Sequence, residues 1–207
     1  MPFFLILVRR RYYNTGEPMP PQADKQLHER ILKAAHRLCR TRGGNGLTLR
    51  AVARAAGTTT PTVYKRFRSK QALQVALAER IKAELNEALF ATSTVDEQNE
   101  TYLRFVEEHP HEYQLLWSTW TEVFHPEMPR PGRALLMSQL AARCGGKPEE
   151  FGRAFYALFF LTHGAASLLA VPGDKIAHDE VRESYISIFK TLLQHIEVFR
   201  EKPSKKK

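Results

Sequence analysis

Cysteine is scarce in this chain: Cys39 and Cys144 are its only two among 207 residues, and neither sits in a CxxC or Cys/His ligand spacing. That excludes a disulfide framework and a finger-type zinc site, and both residues read as reduced thiols of a cytoplasmic protein. Enzyme motifs are missing too. There is no HExxH, no GxSxG, no phosphate-cradling glycine loop and no pair of carboxylates set for acid and base work. The histidines are scattered, and His109 and His111 flank Pro110 as helix-boundary residues. No catalytic role, no cofactor and no metal site are expected.

Long apolar runs are nearly absent as well. Ala154 to Val171 carries no formal charge and reaches the lower length limit for a membrane span, but Thr162, His163, Gly164 and Ser167 interrupt it. It reads as a buried core helix, with no membrane partner. Phe3 to Val8 is too short for an export signal, and Arg9, Arg10 and Arg11 follow it where a signal would place them first. No strand alternation and no internal repeat occur. Acidic residues are in short supply only at one end: Met1 to Val75 holds 3 of the 22 Asp and Glu but 15 of the 31 Lys and Arg. A basic field confined to one third of a chain suits a polyanion, because neutralising phosphates releases counterions. The alternative is a merely solvated surface.

What is present is helical periodicity. Residues 1–22 contain Pro2, Pro18, Pro20 and Pro21 and are expected to form a flexible arm, with Met19 a second candidate start. Arg9 to Arg11 there could touch a minor groove, or be incidental charge on a tail. From Asp24, Leu27, Ile31, Ala34, Ala35 and Leu38 recur at steps of three and four and define an amphipathic first helix, which Gly43 to Gly46 terminate. Thr48 caps a short second helix closed by Gly57, and a third runs from near Thr59 to about Phe67 with Pro61 in its first turn. Ser69 caps a long fourth helix. Further helices are expected over Glu97–His109, Glu112–Phe124, Arg133–Arg143, Glu149–Ala170 and Ala177–Arg200, and residues 202–207 form a basic tail. The fold class is therefore all-α, with about nine helices: an N-terminal three-helix bundle at 23–70 and a C-terminal helical domain at 71–201.

Two short helices joined by a three-to-four-residue turn containing glycine make a helix-turn-helix, whose second helix lies in the major groove of duplex DNA. Val63 and Phe67 point inward, which leaves Thr59, Thr60, Thr62, Tyr64, Lys65 and Arg66 on the outer side. Threonine methyls and hydroxyls suit thymine and base edges, Lys or Arg suits guanine, and Tyr64 can reach a phosphate. Thr48 and Ser69 open helices whose N-termini can receive phosphate, with Arg50 and Lys70 beside them, although each is by itself a plain cap.

The run Leu47-Thr48-Leu49-Arg50-Ala51-Val52-Ala53-Arg54-Ala55-Ala56-Gly57, followed by Thr62-Val63-Tyr64-Lys65-Arg66-Phe67-Arg68-Ser69-Lys70-Gln71-Ala72-Leu73, resembles the signature of the tetracycline-repressor (TetR) family of transcriptional regulators. The likeness covers roughly residues 24 to 81. It implies operator contacts at Thr48, Thr59, Thr60, Pro61, Thr62, Tyr64, Lys65, Arg66 and Lys70. Thr58 departs from the apolar residue usual there, but can pack through its methyl. Tyr102 to Pro110, Tyr113 to Trp117 and His163 to Leu168 resemble the Trp-His-Gly subclass of that family, with Thr162 where a Trp is often found. This implies a sensor domain without naming what is sensed.

In the C-terminal half, Trp117, Trp120, Phe124, Phe155, Tyr156, Phe159, Phe160 and His163 fall on helices expected to face one another. They could line a pocket for a small apolar ligand or form an ordinary packed core. Val181, Tyr185, Ile188, Phe189, Leu192 and Ile196 form a stripe broad enough to suggest a homodimer interface. Together these readings describe a regulator of double-stranded DNA, a repressor released from a palindromic operator by its ligand. The alternative is the same dimer with no small-molecule inducer.

Overall fold

The computed structural model describes residues 22–119, 131–171 and 175–201. Among these the chain forms nine α-helices: α1 Gln22–Arg42, α2 Leu49–Ala55, α3 Thr60–Arg66, α4 Lys70–Phe90, α5 Val95–Glu108, α6 Pro110–Ser118, α7 Pro131–Cys144, α8 Gly152–Leu169 and α9 Lys175–Gln194. Short 3₁₀ turns at Gly44–Gly46, Pro148–Phe151 and Ile196–Phe199 join or finish them. No described helix is long and apolar enough to cross a membrane. The expected arm at 1–22 and basic tail at 202–207 fall outside the described residues, except that Gln22 already belongs to α1.

Helix starts follow side-chain chemistry. Thr48, Thr59, Ser69 and Thr94 each accept a hydrogen bond from the backbone N–H three residues on, at 3.0 to 3.3 Å. Each thereby satisfies a donor that a helix N-terminus leaves without an intrahelical acceptor. Several boundaries differ from those expected, among them the start of α8 at Gly152 after a 3₁₀ turn in place of Glu149, and three have a local reason. Thr94 opens α5, so the helix begins two residues before Glu97. Pro110 sits in the first turn of α6, where its missing N–H costs nothing, so α6 starts ahead of Glu112. The last helix ends at Gln194 and tightens into a 3₁₀ turn instead of running on to Arg200.

Two apolar cores result. The first gathers Ile31, Ala35 and Cys39 of α1, Val52 of α2, Val63 of α3 and Leu73, Leu77 and Ile81 of α4, and it also takes in Leu115 and Leu116 of α6. Packing thus continues past residue 70: the first half of α4 and one face of α6 belong to the N-terminal core. The second joins Leu103, Val106, Tyr113, Leu140, Phe151, Leu158 and Ala166 to Tyr185, Phe189, Leu193 and Ile196. Tyr113 enters the second core and Leu115 the first, so α6 contributes to both cores, as does Phe105 of α5, which packs against each.

This placement revises the expected dimer stripe. Tyr185, Phe189 and Ile196 are at most 4% exposed and pack inside their own chain, Val181 and Leu192 are partly buried against the same core, and only Ile188 faces outward, 54% exposed. The stripe is broad because α9 must fill its own domain.

Candidate nucleic-acid interface

The second and third helices are joined by residues 56 to 59. Gly57 takes φ +62°, the N–H of Thr58 reaches the carbonyl of Ala53 at 3.0 Å, and that of Gly57 reaches Arg54 at 3.2 Å. This is a Schellman closure, which needs a left-handed residue after the helix end and so favours glycine. It turns the chain sharply. α3 then begins under the Thr59 cap, whose hydroxyl accepts from the Thr62 N–H at 3.3 Å and lies 2.8 Å from the Thr62 hydroxyl.

What anchors α3 is its inner side. Val63 is fully buried and Phe67 is 4% exposed, with the His28 ring of α1 stacked on Phe67 at 5.2 Å. Burial lowers the pKa of His28 below its usual value, so this ring adds packing and no charge to the head at neutral pH. The opposite side is open: Thr59, Pro61, Tyr64 and Lys65 are exposed, Tyr64 by 53%, while Thr60, Thr62 and Arg66 are half-buried. On the flanks, Thr48 and Arg50 are exposed at the start of α2, and Lys70 is half-buried at the start of α4. The ten residues expected to meet DNA therefore lie on α3 and on the first turns of the helices either side of it. Arg54 and Arg68, also exposed, extend the same basic character, although the sequence reading names them only within the family-like runs and assigns them no contact.

The described members of the C-terminal aromatic set, Trp117, Phe155, Tyr156, Phe159, Phe160 and His163, lie in one chain of ring contacts. His163 of α8 hydrogen-bonds the Tyr113 hydroxyl through Nδ1 at 2.8 Å, and the Trp117 ring lies on it at 3.6 Å between centroids. Phe159 stacks on His163 at 5.9 Å and on Phe155 at 5.6 Å. Burial holds the His163 pKa below its ordinary value, and it pushes the Tyr102 and Tyr113 hydroxyls up, so the cluster is neutral. Tyr156 forms the outer rim: it is 38% exposed, meets Phe155 edge-on at 5.2 Å and stacks on Phe160, itself 66% exposed. Trp120 and Phe124 lie outside the described residues.

An all-helical chain with a compact helix-turn-helix on a larger helical body defines a class, and comparison with known proteins narrows it. Residues 31–77 match the family described as bacterial regulatory proteins, tetR family. No curated protein matches the chain. Among solved structures, TetR from Acinetobacter baumannii AYE is similar with a TM-score of 0.63 and 19% identity, over 83% of this chain and 97% of that one. The transcriptional regulator SCO7222, a TetR from Streptomyces coelicolor, gives 0.62 and 23%, over 84% and 98%. A TetR variant from Acinetobacter baumannii AYE in complex with minocycline gives 0.53 and 22%, over 83% and 97%. The chain thus carries a TetR-family N-terminal domain on a body with the TetR fold. The family match stops at residue 77, so it does not reach the Trp-His-Gly subclass expected for the C-terminal half.

Proposed function

We propose that the protein is a DNA-binding transcriptional regulator of the TetR type, a homodimer that represses from a near-palindromic operator and leaves it when a small apolar ligand binds the C-terminal domain. The observation that carries this reading is the two-sidedness of α3: Val63 and Phe67 fix it from behind, while Pro61, Tyr64 and Lys65 are left to solvent beside two capped helix N-termini. Bases are read by Thr60, Thr62 and Lys65, and phosphates are held by Thr48, Arg50, Tyr64 and Lys70.

The dimer surface passes from the buried stripe to the outer face of α8 and α9. Tyr156, Phe160, Leu168 and Val171 recur at steps of three, four and eight with Gly164 between them, and Ile188 of the adjoining α9 is exposed with them. A second copy would cover this face through a two-fold axis, and two reading heads would then meet half-sites one or more turns of DNA apart. The ligand would enter among Trp117, Phe155, Phe159 and His163. The close, tilted contact of the Trp117 and His163 rings, 3.6 Å between centroids, favours a second reading as well, in which that cluster is filled core and the dimer answers to no small molecule.

Selection of bound fragments from a genomic DNA library with purified protein tests the reading. A recurrent inverted repeat is expected, and Lys65→Ala should shift the preferred base at one position in each half-site. Recovery of fragments with no shared motif would refute it.

A further inference from the structure

One side of α8 carries a row of near-parallel rings. Phe155, Phe159 and His163 follow one another at steps of four, and they stack in turn at 5.6 Å and 5.9 Å between centroids, with planes 19° and 15° apart. Trp117 of α6 stands at the His163 end, 3.6 Å away. All four are half-buried, whereas Leu158 and Ala166 of the same helix are enclosed in the second core. The rings bring no charge of their own, because burial keeps His163 neutral and the Tyr113 hydroxyl holds its Nδ1.

The Phe155 end is occupied by a cation. Arg133, in the first turn of α7, sets its guanidinium carbon 5.6 Å from the centroids of both Phe155 and Tyr156, whose rings meet edge-on at 5.2 Å. Aromatic faces attract a guanidinium but hold no oxygen to accept its hydrogen bonds. Its Nε is shut away from solvent and has no hydrogen-bond partner. Glu201 is a neighbour: a Cβ on Gly152 would stand 3.0 Å from its Oε1 and 3.5 Å from Arg133 Nη2. That oxygen is engaged by Arg153, accepting from its backbone N–H at 3.1 Å and lying 3.9 Å from its Nε. Among the described residues Arg133 therefore meets rings, and no carboxylate is paired with it.

We propose that Arg133 and this row of rings form the binding site of a small aromatic carboxylate. The ring of the ligand lies along Phe155 and Phe159, and its carboxylate accepts two parallel hydrogen bonds from the terminal nitrogens of Arg133. A planar carboxylate matches the guanidinium fork and supplies the acceptors that the rings lack. A neutral apolar molecule covers the same rings and leaves the cation unpaired, and an ammonium is repelled by it. Charge thus selects within the apolar class. The regulatory consequence rests on the proposed function: Arg133 also touches Tyr156, so the ligand acts beside the outer face of α8 assigned to the second copy.

The test is calorimetric titration of the full-length protein with three probe pairs: 2-naphthoate, 3-phenylpropionate and indole-3-propionate, each against its own primary amide. In at least one pair the acid should bind about tenfold or more tightly than the amide. Arg133→Met keeps an apolar stem on Phe155 and should erase that preference while leaving the affinity of the amide within about twofold. The site is overturned if no acid binds by about 5 mM, if every acid binds no better than its amide, or if the preference survives in Arg133→Met. Should that variant fail to fold, the Arg133 Nε–H resonance of the nitrogen-labelled wild-type protein decides. It should shift with the acid and not with the amide, and an equal response to both overturns the site. Operator release is read separately, on DNA fragments recovered by selection. An acid that binds at Arg133 without releasing DNA leaves the site standing and refutes ligand-controlled repression. Release by acid and amide alike supports that repression and overturns the carboxylate class.

Discussion

Replacing Glu112, a 3% exposed residue in the first turn of α6 that accepts from His36 Nε2 of α1 and pairs with Arg40, tests whether this carboxylate helps to hold α6 on α1 beyond the apolar packing of Leu115 and Leu116. At 3.2 Å, the Glu112–Arg40 pair would gain about 5 kcal/mol at an effective dielectric of about 20. Because half of the Arg40 side chain is in water, screening reduces this to the surface-pair range of about 1 kcal/mol. The His36 bond is different: its acceptor is buried, and a hydrogen bond to a charged group contributes about 1.5 to 3 kcal/mol. Glu112→Gln keeps an oxygen for His36 and loses the charge, so it should cost about 1 to 1.5 kcal/mol. Glu112→Ala also strands the His36 donor and leaves a void beside the first core, for a total of about 3 kcal/mol. Urea unfolding at one fixed protein concentration reads both, since a dimer's stability depends on concentration. If Gln costs as much as Ala, the charge matters and the hydrogen-bond geometry does not. If both variants lie within about 0.5 kcal/mol of wild type, in the range of a neutral surface change, the network contributes nothing and the reasoning fails.

The remaining predictions concern the reading head, the aromatic cluster and the dimer face. Lys70→Ala removes one phosphate contact, so the slope of log affinity against log salt should become shallower by about 0.9, and a slope equal to wild type would remove Lys70 from the interface. His163 has its pKa lowered by burial from the usual 6.5, so the unfolded chain takes up more protons there and stability is lost as pH falls below about that value. The loss between pH 7.5 and pH 5 should be smaller in His163→Gln, and an unchanged loss would show that the ring is not held neutral. Phe160→Glu places a charge on the 66% exposed site of α8 and should yield a folded monomer by sedimentation, and a dimer of undiminished affinity would move the interface elsewhere.

The N-terminal third was legible because each of its elements is announced locally. Thr48, Thr59 and Ser69 are all caps of the helices they were expected to open, Gly57 has the positive φ that its place after a helix end required, and Val63 and Phe67 are buried as their spacing demanded. Those signals reach only a few residues along the chain. The Glu112 network was not legible for the same reason. His36 and Glu112 are 76 positions apart, and a glutamate in the first turn of a helix is ordinarily a solvated, dipole-favoured residue, so nothing nearby marks it as buried.

Periodicity carries the opposite weakness in α9. An apolar stripe says that a face is covered and does not say by what. Val181, Tyr185, Ile188, Leu192 and Ile196 recur at steps of three and four, which fits a partner chain or the same chain equally well. The helix packs on α8 and turns Tyr185 toward Asn99 and Thr162, so the width of the stripe reflects two neighbours within one domain. With that side occupied, the surface proposed for a second copy is made of apolar residues that a core does not need, and among the described residues of α8 these are Tyr156, Phe160 and Leu168. They sit in the least charged stretch of the sequence, where every position looks buried by composition. Exposure in the folded chain is therefore what separates interface from core, and it depends on which helix lies beside which, a property that no window along the chain contains.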